Sequence, residues 1–206
     1  MVSLLKTYLT GEIYHVYNRG NRKQPIFFSQ YDYDRFTRKF VAYAAEHGLT
    51  IFSYCLMDNH FHFLVRQDKD GAITRVFLRL CTSHAKFINT KYDLVGSLFQ
   101  QGFKSKHIID ESHFLHLTRY HHRNAMDILG TTLRVEPEEA LQMLRQYPWS
   151  SLHQYLGDPA RNQLQCSIDE FWEIAQVRPV AYRKFMLEEI SRYQRVRASE
   201  ISGLDP

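Results

Sequence analysis

The sequence predicts an α+β sandwich: an antiparallel sheet with helices packed on one face, followed by C-terminal helices. Three observations predict it. Short runs rich in β-branched and aromatic residues stand at 12–17 and within the apolar stretch 51–66. Apolar residues recur at three- and four-residue spacing in longer segments, beginning with 29–46. The order is strand, helix, strand pair, helix, short strand, helix, which fits a ferredoxin-like fold.

Taken in order, residues 12–17 (Glu-Ile-Tyr-His-Val-Tyr) read as the first strand. The loop 18–23 (Asn-Arg-Gly-Asn-Arg-Lys) is turn-forming and basic. It fits either a phosphate-holding loop, through backbone amides and Arg19 or Arg22, or a solvated connection. In the helix 29–46, Phe36, Phe40, Tyr43 and Ala44 form the core stripe, with Ser29 or Asp32 capping the start and Gly48 ending it. Residues 51–56 are a buried strand, 57–59 a tight turn, and 60–65 the returning strand. A second helix at 73–91 carries Val76, Phe77, Leu80, Phe87 and Ile88 as its apolar positions. Residues 98–109 mix aromatics with Lys104, Lys106 and His107, a short strand suited to the side of a nucleic-acid groove.

A third helix spans 111–126, with Ser112 as its cap and Phe114, Leu115, Leu117 and Ile128 as apolar contacts. It holds His113, His116, His121 and His122, and its His116, Tyr120 and Asn124 share a face at i, i+4, i+8. Residues 137–147 form a short helix, and 152–156 close a main domain of residues 1–157. The tail, 158–206, contains helices at 167–175 and 180–197. The last helix is basic through Arg183, Lys184, Arg192, Arg195 and Arg197.

With 206 residues, 44 % hydrophobic and 23 % charged, the chain has the composition of a soluble globular protein. A formal net charge of +4 and eleven histidines suit a nucleic-acid partner without requiring one. Three scattered cysteines (Cys55, Cys81, Cys166) argue against a disulfide framework and against a cysteine-rich zinc site. No run approaches the ~18 apolar residues of a membrane span, and residues 1–10 do not read as a signal peptide. The expectation is a cytoplasmic protein with no membrane partner.

The chemistry centres on Asp58-Asn59-His60-Phe61-His62-Phe63-Leu64-Val65. On a strand, His60, His62 and Leu64 share one face while Phe61, Phe63 and Val65 share the other. Two imidazoles fixed side by side supply two nitrogen ligands for a divalent metal; the plain alternative is a pair of half-buried histidines. Tyr120, one of thirteen tyrosines, reads by default as a helix tyrosine packing against the core.

Five ordered blocks narrow this. They are Tyr-His-Val-Tyr-Asn-Arg-Gly-Asn at 14–21, Leu-Met-Asp-Asn-His-Phe-His-Phe-Leu at 56–64, Leu-Phe-Gln-Gln-Gly-Phe-Lys-Ser at 98–105, Arg-Tyr-His-His-Arg-Asn at 119–124 and Trp-Ser-Ser at 149–151. Over about residues 12–157 the chain resembles the IS200-like tyrosine transposases of the HUH endonuclease class, in the branch associated with repetitive extragenic palindromes (REP). The resemblance implies a catalytic domain at 1–157 and a helical tail at 158–206. It implies that His60 and His62 bind Mg²⁺ or Mn²⁺, that Asn124 completes the metal site, and that Tyr120 is the nucleophile. The substrate it implies is single-stranded DNA beside a REP-like hairpin, cut through a 5′-phosphotyrosine by a monomer or homodimer. Arg19, Arg22, Lys104 and Lys106 are the candidates for holding the DNA backbone.

The chain departs from the family pattern at three single positions, and its third helix also has His121-His122-Arg123 where an apolar residue is common. Asp58 stands where Pro is usual, Gly102 where Arg is usual and Ala125 where Pro is usual. An acid at 58 adds either a ligand or a repulsion of DNA, and the lost arginine removes a phosphate or structural contact. Two other readings compete. One is a domesticated protein that binds hairpins without cutting them. The other is a structural zinc protein using His113, His116, His121 and His122, although no Cys or His-Glu-x-x-His pattern supports it.

Overall fold

The computed structural model describes residues 7–130 and 135–202. Most of the opening segment 1–10 and the last four residues of the tail therefore lie outside the described residues. Four strands, β1 (Ile13–Arg19), β2 (Leu49–Leu56), β3 (His60–Gln67) and β4 (Lys104–Ile108), form one antiparallel sheet in the order β2-β3-β1-β4. Helices α1 (Gln30–His47) and α2 (Ala72–Tyr92) connect β1 to β2 and β3 to β4, each crossing over one intervening strand. That is the ferredoxin-like topology.

Strand alternation decides what each face holds. Phe61, Phe63 and Val65 are fully buried beneath α1 and α2, where they meet Phe36, Phe40 and Phe77. Each such phenyl contributes ~1.5–3 kcal/mol by leaving water. Helix α1 starts where Asp32 accepts the amides of Phe28 and Ser29 at 2.9 Å and ends at Gly48, whose φ of 75° suits glycine.

The opposite face carries His15, Tyr17, His60 and His62, and α3 (Glu111–Arg123) lies across it. A bulge between Ile51 and Ser53 turns two consecutive residues toward α3. Phe52 meets Phe114 with centroids 5.2 Å apart, and Ser53 Oγ meets His121 Nδ1 at 2.9 Å. The cap of α3 is Asp110, which accepts the His113 amide, rather than Ser112; Ser112 lies inside the first turn.

The third helix also ends earlier than its pattern predicts. It stops at Asn124 and a four-residue helix follows, α4 (Met126–Leu129), whose Ile128 is 40 % exposed rather than a core contact.

The remaining helices are α5 (Pro137–Gln146), α6 (Leu152–Tyr155), α7 (Ile168–Ala175) and α8 (Pro179–Ser202). Backbone bonds from Leu56 N to Trp149 O, Ser151 N to Tyr54 O and Ser167 N to Ile51 O cover the free edge of β2. The α8 helix packs on α3, where Arg123 meets the buried Glu189 at 3.1 Å and His122 Nδ1 meets Tyr182 Oη at 2.7 Å. No helix among the described residues is long and apolar enough to cross a membrane.

Candidate functional site

The end of β1, the start of β3 and the start of β4 come together at one edge of the sheet. Register places Arg19 opposite His60, and Tyr17 between His62 and Lys104. Segment 98–101 continues the wall: Gln100 N donates to Arg19 O at 2.9 Å, and Gly20 bridges Phe99. With α3 lying over the sheet, these walls enclose a cleft of about 270 Å³. Tyr17, Asn18, Arg19, His60, His62, Gln100, Gln101, Lys104 and Tyr120 line it.

Five of the residues singled out in the sequence therefore meet here: His60, His62, Tyr120, Arg19 and Lys104. The Tyr120 ring stands edge-on to His62, centroids 5.6 Å apart at 83°. Arg19 and Lys104 are exposed, and no carboxylate lines the cleft.

The other three stand outside the lining. Asn124 caps the end of α3 one turn beyond Tyr120, its side-chain nitrogen buried without a hydrogen-bond partner. Arg22 lines a neighbouring hollow with Asn21, Leu94 and Val95. Lys106 lies two residues along β4, opposite His15. Asp58 is exposed and also outside the lining.

The histidines form a connected array. His62 Nδ1 lies 2.9 Å from His15 Nε2, and the His121 ring completes a buried triad with them. One nitrogen from each of the three lies within 4.8 Å of the others. His60 Nδ1 bonds Asn59 Oδ1 at 2.5 Å, while Asn59 Nδ2 donates to Lys23 O at 3.1 Å. An amide oxygen only accepts, so His60 carries its hydrogen on Nδ1 and a lone pair on Nε2.

Burial, reinforced by the Arg19 charge, takes His60 down to about 4. Burial first, and then His15, His60 and Arg19, hold His62 well below the ordinary imidazole range. Both rings are therefore neutral at pH 7, the form that ligates metal.

His62 Nε2 is buried with no hydrogen-bond partner. A buried ring nitrogen left without a partner, on a neutral imidazole whose ring centroid is 5.0 Å from that of His60, is what a divalent cation would satisfy, so these residues fit the implied metal. The buried triad is a second donor set close enough to share an ion. The four histidines of α3, by contrast, do not converge. His121 faces the sheet, His122 faces Ser151 and Tyr182, and His116 is exposed.

His15, Ser53, Gln100 and Gln101 were not singled out as site residues in the sequence. Their proximity depends on which strands pair, and only the alternation of His15 with Tyr17 and Arg19 hinted at a shared face.

Compared with known families, the chain matches the IS200-like transposases over residues 9–124. No curated protein matches it. Among solved structures, it resembles a REP-associated tyrosine transposase bound to a REP hairpin. The identity is 15 %, covering 80 % of this chain and 92 % of that one, with a TM-score of 0.53. At that identity the likeness establishes the fold. The matched span contains β1, the strand of His60 and His62 and the helix of Tyr120, so every wall of the cleft falls within it. The chain belongs to the IS200-like transposase family.

Proposed function

We propose that this transposase is a metal-dependent single-stranded DNA endonuclease and strand transferase acting through Tyr120. The observation that carries the reading is the Tyr120 ring set against His62, in a cleft shared with His60, Arg19 and Lys104. The solved neighbour's bound REP hairpin supports a hairpin-bearing DNA partner. In this reading residues 1–157 are the catalytic domain and 158–206 a helical tail, whose α8 braces the Tyr120 helix.

Exposed Arg19 and Lys104 hold the DNA backbone, and Arg22 and Lys106 extend the basic track beyond the cleft. A cleft of about 270 Å³ takes a freely presented phosphate and not a duplex. His60 Nε2, His62 Nε2 and the Asn124 amide oxygen would hold Mg²⁺ or Mn²⁺, which when bound polarises a non-bridging oxygen and offsets charge gathering at phosphorus. Tyr120 Oη attacks that phosphorus and gives up its proton. The Oη–P bond forms, the P–O3′ bond breaks, and O3′ leaves as a 3′-hydroxyl, its uptake of a proton from solvent balancing the one Tyr120 released to solvent. The product is a 5′-phosphotyrosine. No water is consumed, so the linkage keeps its energy for the reverse, joining step.

The test incubates the protein with labelled single-stranded hairpin oligonucleotides from the flanks of its own gene and Mn²⁺, followed by a denaturing gel. A covalent protein–DNA band is expected that disappears in Tyr120→Phe and with chelator. Hairpin binding without any covalent product would favour the domesticated binder instead.

A further inference from the structure

We propose that His15 is a positioning residue: it accepts a hydrogen bond from His62 Nδ1–H and thereby fixes His62 in the tautomer whose bare Nε2 is presented to the cleft. The inference rests on the proposed metal-binding role of His60 and His62.

His15 Nε2 and His62 Nδ1 are 2.9 Å apart. The ring planes differ by only 23° while the centroids are 5.1 Å apart. The rings therefore meet edge to edge, nitrogen toward nitrogen, as an N–H···N bond requires. One proton lies between two neutral imidazoles. If His15 supplied it, His62 would carry its own hydrogen on Nε2, where it is buried and meets no acceptor. If His62 supplies it, Nε2 is a bare lone pair on a residue that lines the cleft.

Metal-binding imidazoles commonly donate their second N–H to a fixed acceptor. Here the acceptor is another imidazole, which adds no negative charge behind a cleft that receives a polyanion.

His15 is itself held in place. Pairing of Tyr17 with His62 puts His15 on the diagonal, two residues along the same face of β1. Its ring lies 4.8 Å from that of Tyr17 and 5.0 Å from that of His121, whose Nδ1 is tied to Ser53 Oγ.

The experiment uses the full chain without DNA. Nitrogen-15 NMR of the metal-free protein reads the His62 tautomer, and the electron paramagnetic resonance signal of free Mn²⁺ reads affinity. The wild type is expected to show a protonated Nδ1 and a bare Nε2 on His62. His15→Phe, which keeps a ring without an acceptor, should lose that preference and weaken Mn²⁺ binding roughly ten- to a hundredfold. His15→Gln, which restores an acceptor oxygen, should recover most of both.

A wild-type His62 protonated on Nε2 overturns the proposal, as does a His15→Phe variant with unchanged tautomer and affinity. If His15→Phe does not fold, as judged by near-ultraviolet circular dichroism, the wild-type tautomer decides. Equal Mn²⁺ binding by wild type and His60→Ala would defeat the metal reading alone, while the tautomer still decides the role of His15.

Discussion

Gly102 is exposed, and nothing lies within 4 Å of where its β-carbon would stand. The position follows Gln101, which lines the cleft, so a long side chain there has both room and reach. The arginine usual in the family is therefore missing without any steric reason. Gly102→Arg should leave the melting temperature nearly unchanged, since open surface sites shift stability by only about 0.5 kcal/mol. It should tighten single-stranded DNA binding and steepen its salt dependence by ~0.7 in log–log slope for one added phosphate contact. Titrations at several salt concentrations measure this, and an unchanged slope would count against a DNA path along this loop. Of the other departures, Asp58 is exposed, and the backbone carbonyl with which it accepts the amides of Ile26 and Phe27 at 2.7 and 3.0 Å is one a proline would also supply, so nothing in the structure explains its side chain. Ala125 is fully buried between α3 and α4.

The α3 helix is fastened on two sides. Adjacent residues do it, because neighbours on a helix point about 100° apart. His121 reaches Ser53 on the sheet at 2.9 Å, and His122 reaches Ser151 at 2.8 Å and Tyr182 of α8 at 2.7 Å. Arg123 adds its contact to Glu189 and stacks on Tyr193 with 3.9 Å to the ring centroid. Helix α3 therefore presents Tyr120 to the histidines of its own chain. In a mixture of Tyr120→Phe and His62→Ala proteins, covalent DNA adduct formation should stay absent, because neither chain holds both groups. Recovery of activity on mixing would mean that a partner supplies the tyrosine. This element was half legible beforehand: its start and the Tyr120 face follow from spacing. Its early end and the opposed duties of His121 and His122 do not, because both rings read alike until their neighbours are known.

Across the whole molecule, burial keeps an unusual number of histidines neutral. His84 and His153 lie away from the cleft, and burial lowers each to about 4. The unfolded chain takes up these protons near pH ~6.5, and the native chain only near 4. Between those values the unfolded state binds more protons, so stability falls as pH drops, by ~1.4 kcal/mol per pH unit per histidine. His15, His60, His62, His121 and His122 are depressed in the same direction. Thermal melts with chelator present should be flat above pH 7 and fall steeply from 6.5 toward 4. His84→Gln retains a donor for the Ile26 carbonyl, which His84 Nε2 meets at 2.7 Å, and should make the decline shallower. A melting temperature constant down to pH 4.5 would contradict this.

Alternation and helical periodicity determined the order of elements, the two faces of β3 and the split between histidines and phenylalanines, because these follow from local backbone geometry. The ordered blocks determined the family. The ferredoxin-like reading already implied β1 beside β3, and the resemblance implied Tyr120 near His60 and His62; only the tertiary structure decided that Arg19 and Lys104 line their cleft while Arg22, Lys106 and Asn124 do not. It also brought His15 onto His62 and turned His121 inward. The His15–His62 and Ser53–His121 contacts join residues 47 and 68 positions apart in the chain, and strand pairing and helix docking create them through burial that no local pattern records.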